Sequence, residues 1–293
     1  MTQLRDIRKT LPLRAMSKED WEHWTTRGYV VIRQAVPEDN VRRLTEALLD
    51  FEDIKPDDPA TWYVRRPGSR RLPGHSGLVE IYNHQAMWDN RQTERVYDAF
   101  VDIWDKPDLW VVIDFANVNP PNRGGRSFEG FIHWDVDTSA RPLPVRCQGV
   151  LSLSEGDDEI GGFQCVPEIF EHLDEWLAAQ PADRDPMTPD IAGYAITTVP
   201  VDPGDLIIFN SLLPHGVRPN RSKDRVRMAQ YISMSPAMES DTALREKRVL
   251  FWRDLVPPHE PAGGYRKTER DMYRAAELTP LGERLLGLTS WAS

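Results

Sequence analysis

Phe131-Ile132-His133-Trp134-Asp135-Val136-Asp137 is the stretch on which the reading of this chain turns. His133 and Asp135 lie two residues apart, so on a strand both side chains leave the same face. A histidine and a carboxylate so placed supply two of the three ligands of a facial metal triad, which leaves the remaining positions open. Such a pair also arises by chance. Its meaning rests on what the rest of the chain adds.

The surrounding chain has 293 residues, enough for one elaborate domain or two small ones. No internal repeat, low-complexity segment or linker divides it. The expectation is one domain over 1–293, with helices and a long loop in 1–108, a β core in 109–237 and helices in 238–293. No run is long and apolar enough to span a membrane. Met1 to Arg14 is basic but has no apolar stretch, which argues against a secretory signal. With only Cys147 and Cys165, a reducing, cytoplasmic setting is expected. The net charge of −10 argues against nucleic acid and leaves a small molecule as the expected partner. Ten Trp point either to an aromatic-lined cavity or to ordinary core packing.

Patterning changes along the chain. Ser17-Lys18-Glu19-Asp20 predicts a capped helix to Arg27, stopped at Gly28, and Tyr29 to Ile32 reads as a strand. Val41, Leu44, Leu48 and Phe51 recur at helical spacing after Pro37. Lys55 to Gly77 is a Pro- and Gly-rich loop carrying Arg65, Arg66, Arg70 and Arg71, readable as a lid or as a solvated basic loop. Thr93 to Trp104 is helical again. Beyond Pro107 about eight short strands are separated by turn residues, as in an all-β sandwich or barrel. They are Leu109–Phe115, Phe131–Trp134, Val145–Leu153, Phe163–Val166, Ile196–Val199, Leu206–Phe209, Leu213–Val217 and Arg227–Met234. A helix over Glu168–Ala179 interrupts them. Three more, over Thr242–Leu255, Glu269–Glu277 and Leu281–Leu286, follow.

A third ligand must come from one of the other histidines. His23 and His172 sit among charged helical neighbours, His75 in the Arg-rich loop and His259 in a Pro-rich segment. His84 is either buried or able to reach a substrate. His215 follows the apolar strand Leu206 to Asn210 and, with His-x-Asp upstream, is the candidate third ligand. Two imidazoles and one carboxylate suit oxygen chemistry at Fe(II) because they occupy one face of the metal. A structural zinc site would close all four positions, and the two cysteines are not spaced for that. A dicarboxylate co-substrate would need a guanidinium, which binds carboxylate in a fork and stays charged when desolvated. Arg227 leads into the apolar run Met228 to Ile232 and is the candidate. Arg225 shares its face and is the alternative.

The order His133-x-Asp135, His215, Arg227 resembles the phytanoyl-CoA dioxygenase-like family of iron(II)- and 2-oxoglutarate-dependent oxygenases. Arg27-Gly28-Tyr29-Val30-Val31-Ile32, Asn117-Val118-Asn119-Pro120-Pro121, Gln148 to Leu153, Gly161 to Pro167 and Pro203 to Phe209 extend the resemblance over most of Glu19 to Ala237. Asn119 stands where many members have Lys, and the loop from Asn220 to Arg227 is one residue longer than usual. The resemblance implies a mainly β fold, a double-stranded β-helix or jelly roll flanked by helices. It implies Fe(II) held by His133, Asp135 and His215, and 2-oxoglutarate paired with Arg227. Asn117 and Gln148 would line the co-substrate pocket or serve as structural hydrogen-bonding residues. The implied reaction consumes O2, releases succinate and CO2, and oxidises, by default hydroxylates, a C–H bond of a small metabolite. Related halogenases have Ala or Gly in place of the carboxylate, so Asp135 argues against halogenation. A metal-binding relative without turnover and a cupin-like isomerase or hydrolase are the alternatives. Trp134 points to the opposite face and reads as packing. Asp137 shares the ligand face and is either a substrate contact or a solvated turn acid.

Overall fold

Helix α1 (Lys18–Arg27) starts in a capping box: the Ser17 hydroxyl accepts from the Asp20 N–H, and the Asp20 carboxylate accepts from the Ser17 N–H. It ends at Gly28, whose φ of 81° is a left-handed conformation that glycine adopts without strain. The chain then enters β1 (Tyr29–Ile32) and α2 (Glu38–Phe51). The computed structural model describes residues 2–63, 77–123, 128–258 and 268–292. The arginines of the expected lid, together with His75 and His259, lie outside the described residues.

After β2 (Leu78–Val79) come α3 (Gln85–Arg91), α4 (Glu94–Trp104), β3 (Leu109–Val111) and β4 (Ala116–Asn119). Next are β5 (Cys147–Ser152), β6 (Gly162–Cys165), α5 (Pro167–Glu171), α6 (Leu173–Ala179), β7 (Thr197–Thr198), β8 (Leu206–Asn210) and β9 (His215–Arg218). The chain closes with β10 (Arg227–Tyr231), β11 (Met234–Pro236), α7 (Thr242–Arg253), α8 (Thr268–Met272) and α9 (Pro280–Leu286).

The strands are antiparallel and form a six-stranded sheet in the order β1-β8-β5-β10-β4-β2, a three-stranded sheet β7-β6-β9 and a pair β11-β3. Alternation along the strands gives the large sheet two different faces. Cys147, Leu151, Leu206, Ile208 and Met228 pack with Leu44, Leu48 and Phe100 of the helices. Ile207 and Phe209 point the other way, onto Phe163 and Cys165 of the small sheet. The result is a jelly roll with helices outside and a cavity between its sheets. No described helix is long and apolar enough to cross a membrane.

Several elements differ from the sequence expectation. The large sheet recruits β1 and β2 from outside the 109–237 stretch. The strand expected over Leu109–Phe115 breaks after Val111 because its partner breaks opposite it: β10 ends at Tyr231 and β11 starts at Met234. The helix expected over Glu168–Ala179 is two, divided at His172. Helix α3, unpredicted, is capped by His84, whose Nδ1 accepts from the Ala86 N–H at 3.1 Å. His84 also packs edge-on against Tyr273, so its role is structural, and it does not line the cavity.

Helix α8 docks through Glu269, a buried side chain whose carboxyl accepts from the Tyr82 and Asn83 N–H groups at 3.1 and 2.6 Å. Burial pushes this carboxyl up to about 7, more than those hydrogen bonds and the nearby Arg91 charge offset. A raised carboxyl favours the folded state most when it is protonated. Unfolding free energy is therefore expected to fall as pH rises from about 4.5 to about 7. Urea titrations of Glu269→Gln should lose that slope.

Candidate metal centre and its cavity

The His133 and His215 backbones form an isolated antiparallel bridge, with N–H···O distances of 2.8 and 3.0 Å in the two directions. His215 opens β9 and pairs on its other side with Cys165 of β6. His133 therefore lies beside β9 at the rim of the small sheet. The strand expected over Phe131–Trp134 reduces to this one bridge. From Trp134 onward the backbone bonds a different segment, Trp134 N–H to Met187 O at 2.8 Å and Thr138 N–H to Pro186 O at 3.3 Å.

Close approach makes the bridge possible. A Cβ on Gly216 would come within 1.7 Å of the Phe131 carbonyl oxygen. Trp134, between the two candidate ligands, points to the opposite face as expected. Its indole is buried, stacks edge-on against Trp176 at 5.3 Å and donates Nε1–H to Leu212 O at 2.8 Å. Asp137 accepts from the Ser139 N–H and hydroxyl at 2.7 and 2.6 Å. It is a turn acid outside the cavity.

The ligand atoms of His133, Asp135 and His215 all lie within 4.8 Å of one another. His133 Nδ1 is 3.0 Å from His215 O, and His215 Nδ1 is 2.9 Å from Leu213 O. A carbonyl only accepts, so each Nδ1 carries the proton and each Nε2 of the neutral ring presents a lone pair. Those Nε2 atoms face Asp135, at 2.8 Å from Oδ1 for His133 and 3.2 Å from Oδ2 for His215. Three acceptors thus converge on one point, an arrangement that calls for a positive charge among them. Two neutral imidazoles and one carboxylate fit a divalent transition-metal ion, and the carbonyl bonds at Nδ1 are the orienting contacts such ligands use. Burial acts to raise the Asp135 carboxyl; with no cation among the three groups, protons on the Nε2 side and the Gln148 amide would outweigh it and hold the group well below the usual carboxylate range.

A cavity of about 480 Å³ opens beside the triad. Arg227, buried at the start of β10, lines it and donates Nη2–H to Asn117 Oδ1 at 3.1 Å. Asn117 also accepts from the Asn119 amide. Arg225 lies outside the cavity. It pairs with Glu155, Asp157 and Glu159 at 3.1, 2.7 and 3.2 Å on the surface. The intervening loop is pinned by Asn220, whose amide donates to Asn119 O and Arg225 O at 2.9 and 2.7 Å. Gln148 lies on β5, and its amide donates to Asp135 Oδ2 at 2.6 Å. The structure thus brings together the six candidate residues and separates out Arg225, His84 and Asp137.

Sequence reading missed the walls. Phe115, Phe128, Phe131, Phe163, Phe209 and Tyr231 line the cavity, and no described tryptophan does. Tyr231 shares strand parity with Arg227, and Phe131 shares it with His133, so period-2 counting from the candidate ligands would have found both.

Fold and donor set together define a jelly-roll protein with a two-histidine, one-carboxylate cluster in an aromatic cavity. The sequence profile of the phytanoyl-CoA dioxygenase family matches residues 24–229, and the chain belongs to that family. It is 25% identical over 268 residues to Ava biosynthesis cluster protein O of Aspergillus versicolor, covering 83% of this chain and 86% of that protein. Among solved structures, it is similar to hypothetical protein JW0805 of Escherichia coli, with a TM-score of 0.69 and 18% identity over 93% of this chain and 82% of that one. It is also similar in fold to HygX of Streptomyces hygroscopicus, solved with nickel and 2-oxoglutarate bound. That match has a TM-score of 0.52 and 13% identity over 77% of this chain and 89% of HygX.

Gly216→Ala is expected to push the two histidine segments apart and lower affinity for a divalent cation by about tenfold or more, the usual cost of disturbing ligand orientation. A Mn(II) titration, with circular dichroism to check folding, measures it; wild-type affinity would show that the bridge tolerates the methyl group.

Proposed function

We propose that this chain is an Fe(II)- and 2-oxoglutarate-dependent oxygenase that oxidises a C–H bond of a small organic metabolite, hydroxylation being the default outcome. Succinate and CO2 are the co-products. The observation that carries the reading is the convergence of two imidazole Nε2 lone pairs and one carboxylate beside a buried arginine in a single cavity. When bound, iron would supply the oxygen chemistry that no side chain provides.

His133, Asp135 and His215 would hold the metal. Arg227 takes the distal carboxylate of 2-oxoglutarate, and Asn117 orients its guanidinium by accepting one N–H. The aromatic walls exclude water and press the substrate toward the triad. Arg225 is already engaged by three acids and takes no part. The ligands in HygX support the co-substrate assignment, and the likeness to a biosynthesis cluster protein supports a natural-product substrate.

Succinate release on supplying Fe(II), 2-oxoglutarate and O2 to the metal-free protein, with a panel of candidate substrates, tests the reading. His215→Ala should lower iron affinity. Unchanged affinity would dismantle the triad. Arg227→Leu should weaken 2-oxoglutarate about 100-fold, as expected for a buried charge pair that loses one partner, with iron affinity intact. Arg225→Leu should leave both constants near wild type. The reverse pattern would move the co-substrate anchor to Arg225.

A further inference from the structure

We propose that Gln148 is a positioning residue that holds Asp135 to one metal-facing oxygen and so keeps a coordination position open for oxygen. The inference rests on the iron and 2-oxoglutarate reading above.

The triad members are held very differently. Both histidines are fixed by backbone pairing and by their Nδ1–H bonds to carbonyls. Asp135 follows the bridge on a segment outside any strand, and its side chain is 38% exposed. Among the described residues, Gln148 is the only group outside the triad that hydrogen-bonds the Asp135 carboxylate. Among the described residues the Gln148 side chain makes no other hydrogen bond. Gln148 itself is rigidly placed, since β5 pairs with β8 in a register that sets Gln148 opposite Phe209. A structural role for the amide would instead show a second partner within the sheet or the core.

Coordination arithmetic gives the contact its meaning. An octahedral ion held by two imidazoles and one carboxylate oxygen keeps three positions. A bidentate 2-oxo acid would take two of these and leave one. A carboxylate that chelates through both oxygens would close that last position or compete with the co-substrate. Oδ2 also faces His215 Nε2 at 3.2 Å, but the Gln148 N–H draws on one of its lone pairs and leaves Oδ1 as the stronger donor to a metal.

The test uses the full chain, stripped of metal and reloaded with Co(II), whose visible absorption reports coordination number. Gln148→Leu and Gln148→Met keep bulk and remove the donor. Both are expected to change the Co(II) spectrum before co-substrate is added and to weaken 2-oxoglutarate binding about 10–100-fold, the usual range for removing an orienting partner. The melting temperature of the metal-free protein should stay at the wild-type value. A wild-type spectrum and wild-type 2-oxoglutarate affinity in both variants would overturn the inference. So would a lower melting temperature with an unchanged spectrum, which would make Gln148 a packing residue. Asp135→Ala separates the two levels of the argument. If it retains wild-type Co(II) affinity, the metal reading itself fails. If it loses that affinity while the Gln148 variants match wild type, only the role of Gln148 fails.

Discussion

The pairing of the His133 backbone with the His215 backbone is the constraint on which the site depends. Two segments 82 residues apart are joined by a reciprocal pair of hydrogen bonds, and the His215 carbonyl also takes the His133 Nδ1–H. One contact therefore sets the separation of the rings and the tautomer of His133, while the Leu213 carbonyl sets that of His215. Because the bonds are made by backbone, they exist whenever the small sheet closes. Assembly of the sheet is assembly of the imidazole pair, and no separate ordering of flexible side chains is needed.

The large sheet supplies the rest by parity. Gln148 and Val150 on β5, Phe209 on β8, and Arg227 and Tyr231 on β10 face the cavity, while their sequence neighbours Cys147, Leu151, Ile208 and Met228 join the helical side. A charged anchor can be buried there because it lies on a strand whose opposite face is fixed by apolar packing. Arg225, two residues earlier, falls in the loop and is drawn outward by three acids. The same short sequence thus gives one guanidinium to the surface and one to the interior.

What was legible in the sequence was what periodicity and local chemistry encode. The helix cap at Ser17, the Gly28 stop, the amphipathic face of α2 and the strands around Val150, Phe209 and Tyr231 follow from local pattern and were found. The grouping of His133, Asp135, His215 and Arg227 in one place followed from motif order. Long-range partnership was not legible. Nothing near Trp134 indicates that its N–H bonds Met187 rather than a strand, and nothing in Leu109 to Phe115 indicates that a break at Ile232 and Ser233 interrupts its ladder. Arg227 was preferred over Arg225 for the apolar run that follows it, but what draws Arg225 outward, Glu155, Asp157 and Glu159 some 70 residues away, was not legible. His84 was left open between core and substrate contact because a histidine that caps a seven-residue helix has no distinctive local signature.

The unequal mounting of the triad has a consequence for how such a site can diversify. The histidines are welded into the sheet by main-chain bonds, whereas Asp135 is attached by side-chain contacts alone and its backbone is held by neither sheet. The carboxylate is therefore the exchangeable member. Its loss would remove a charge and a donor without unseating the imidazoles, and another anion could take its place on an otherwise intact scaffold. The fold is indifferent to the one charged side chain of the three.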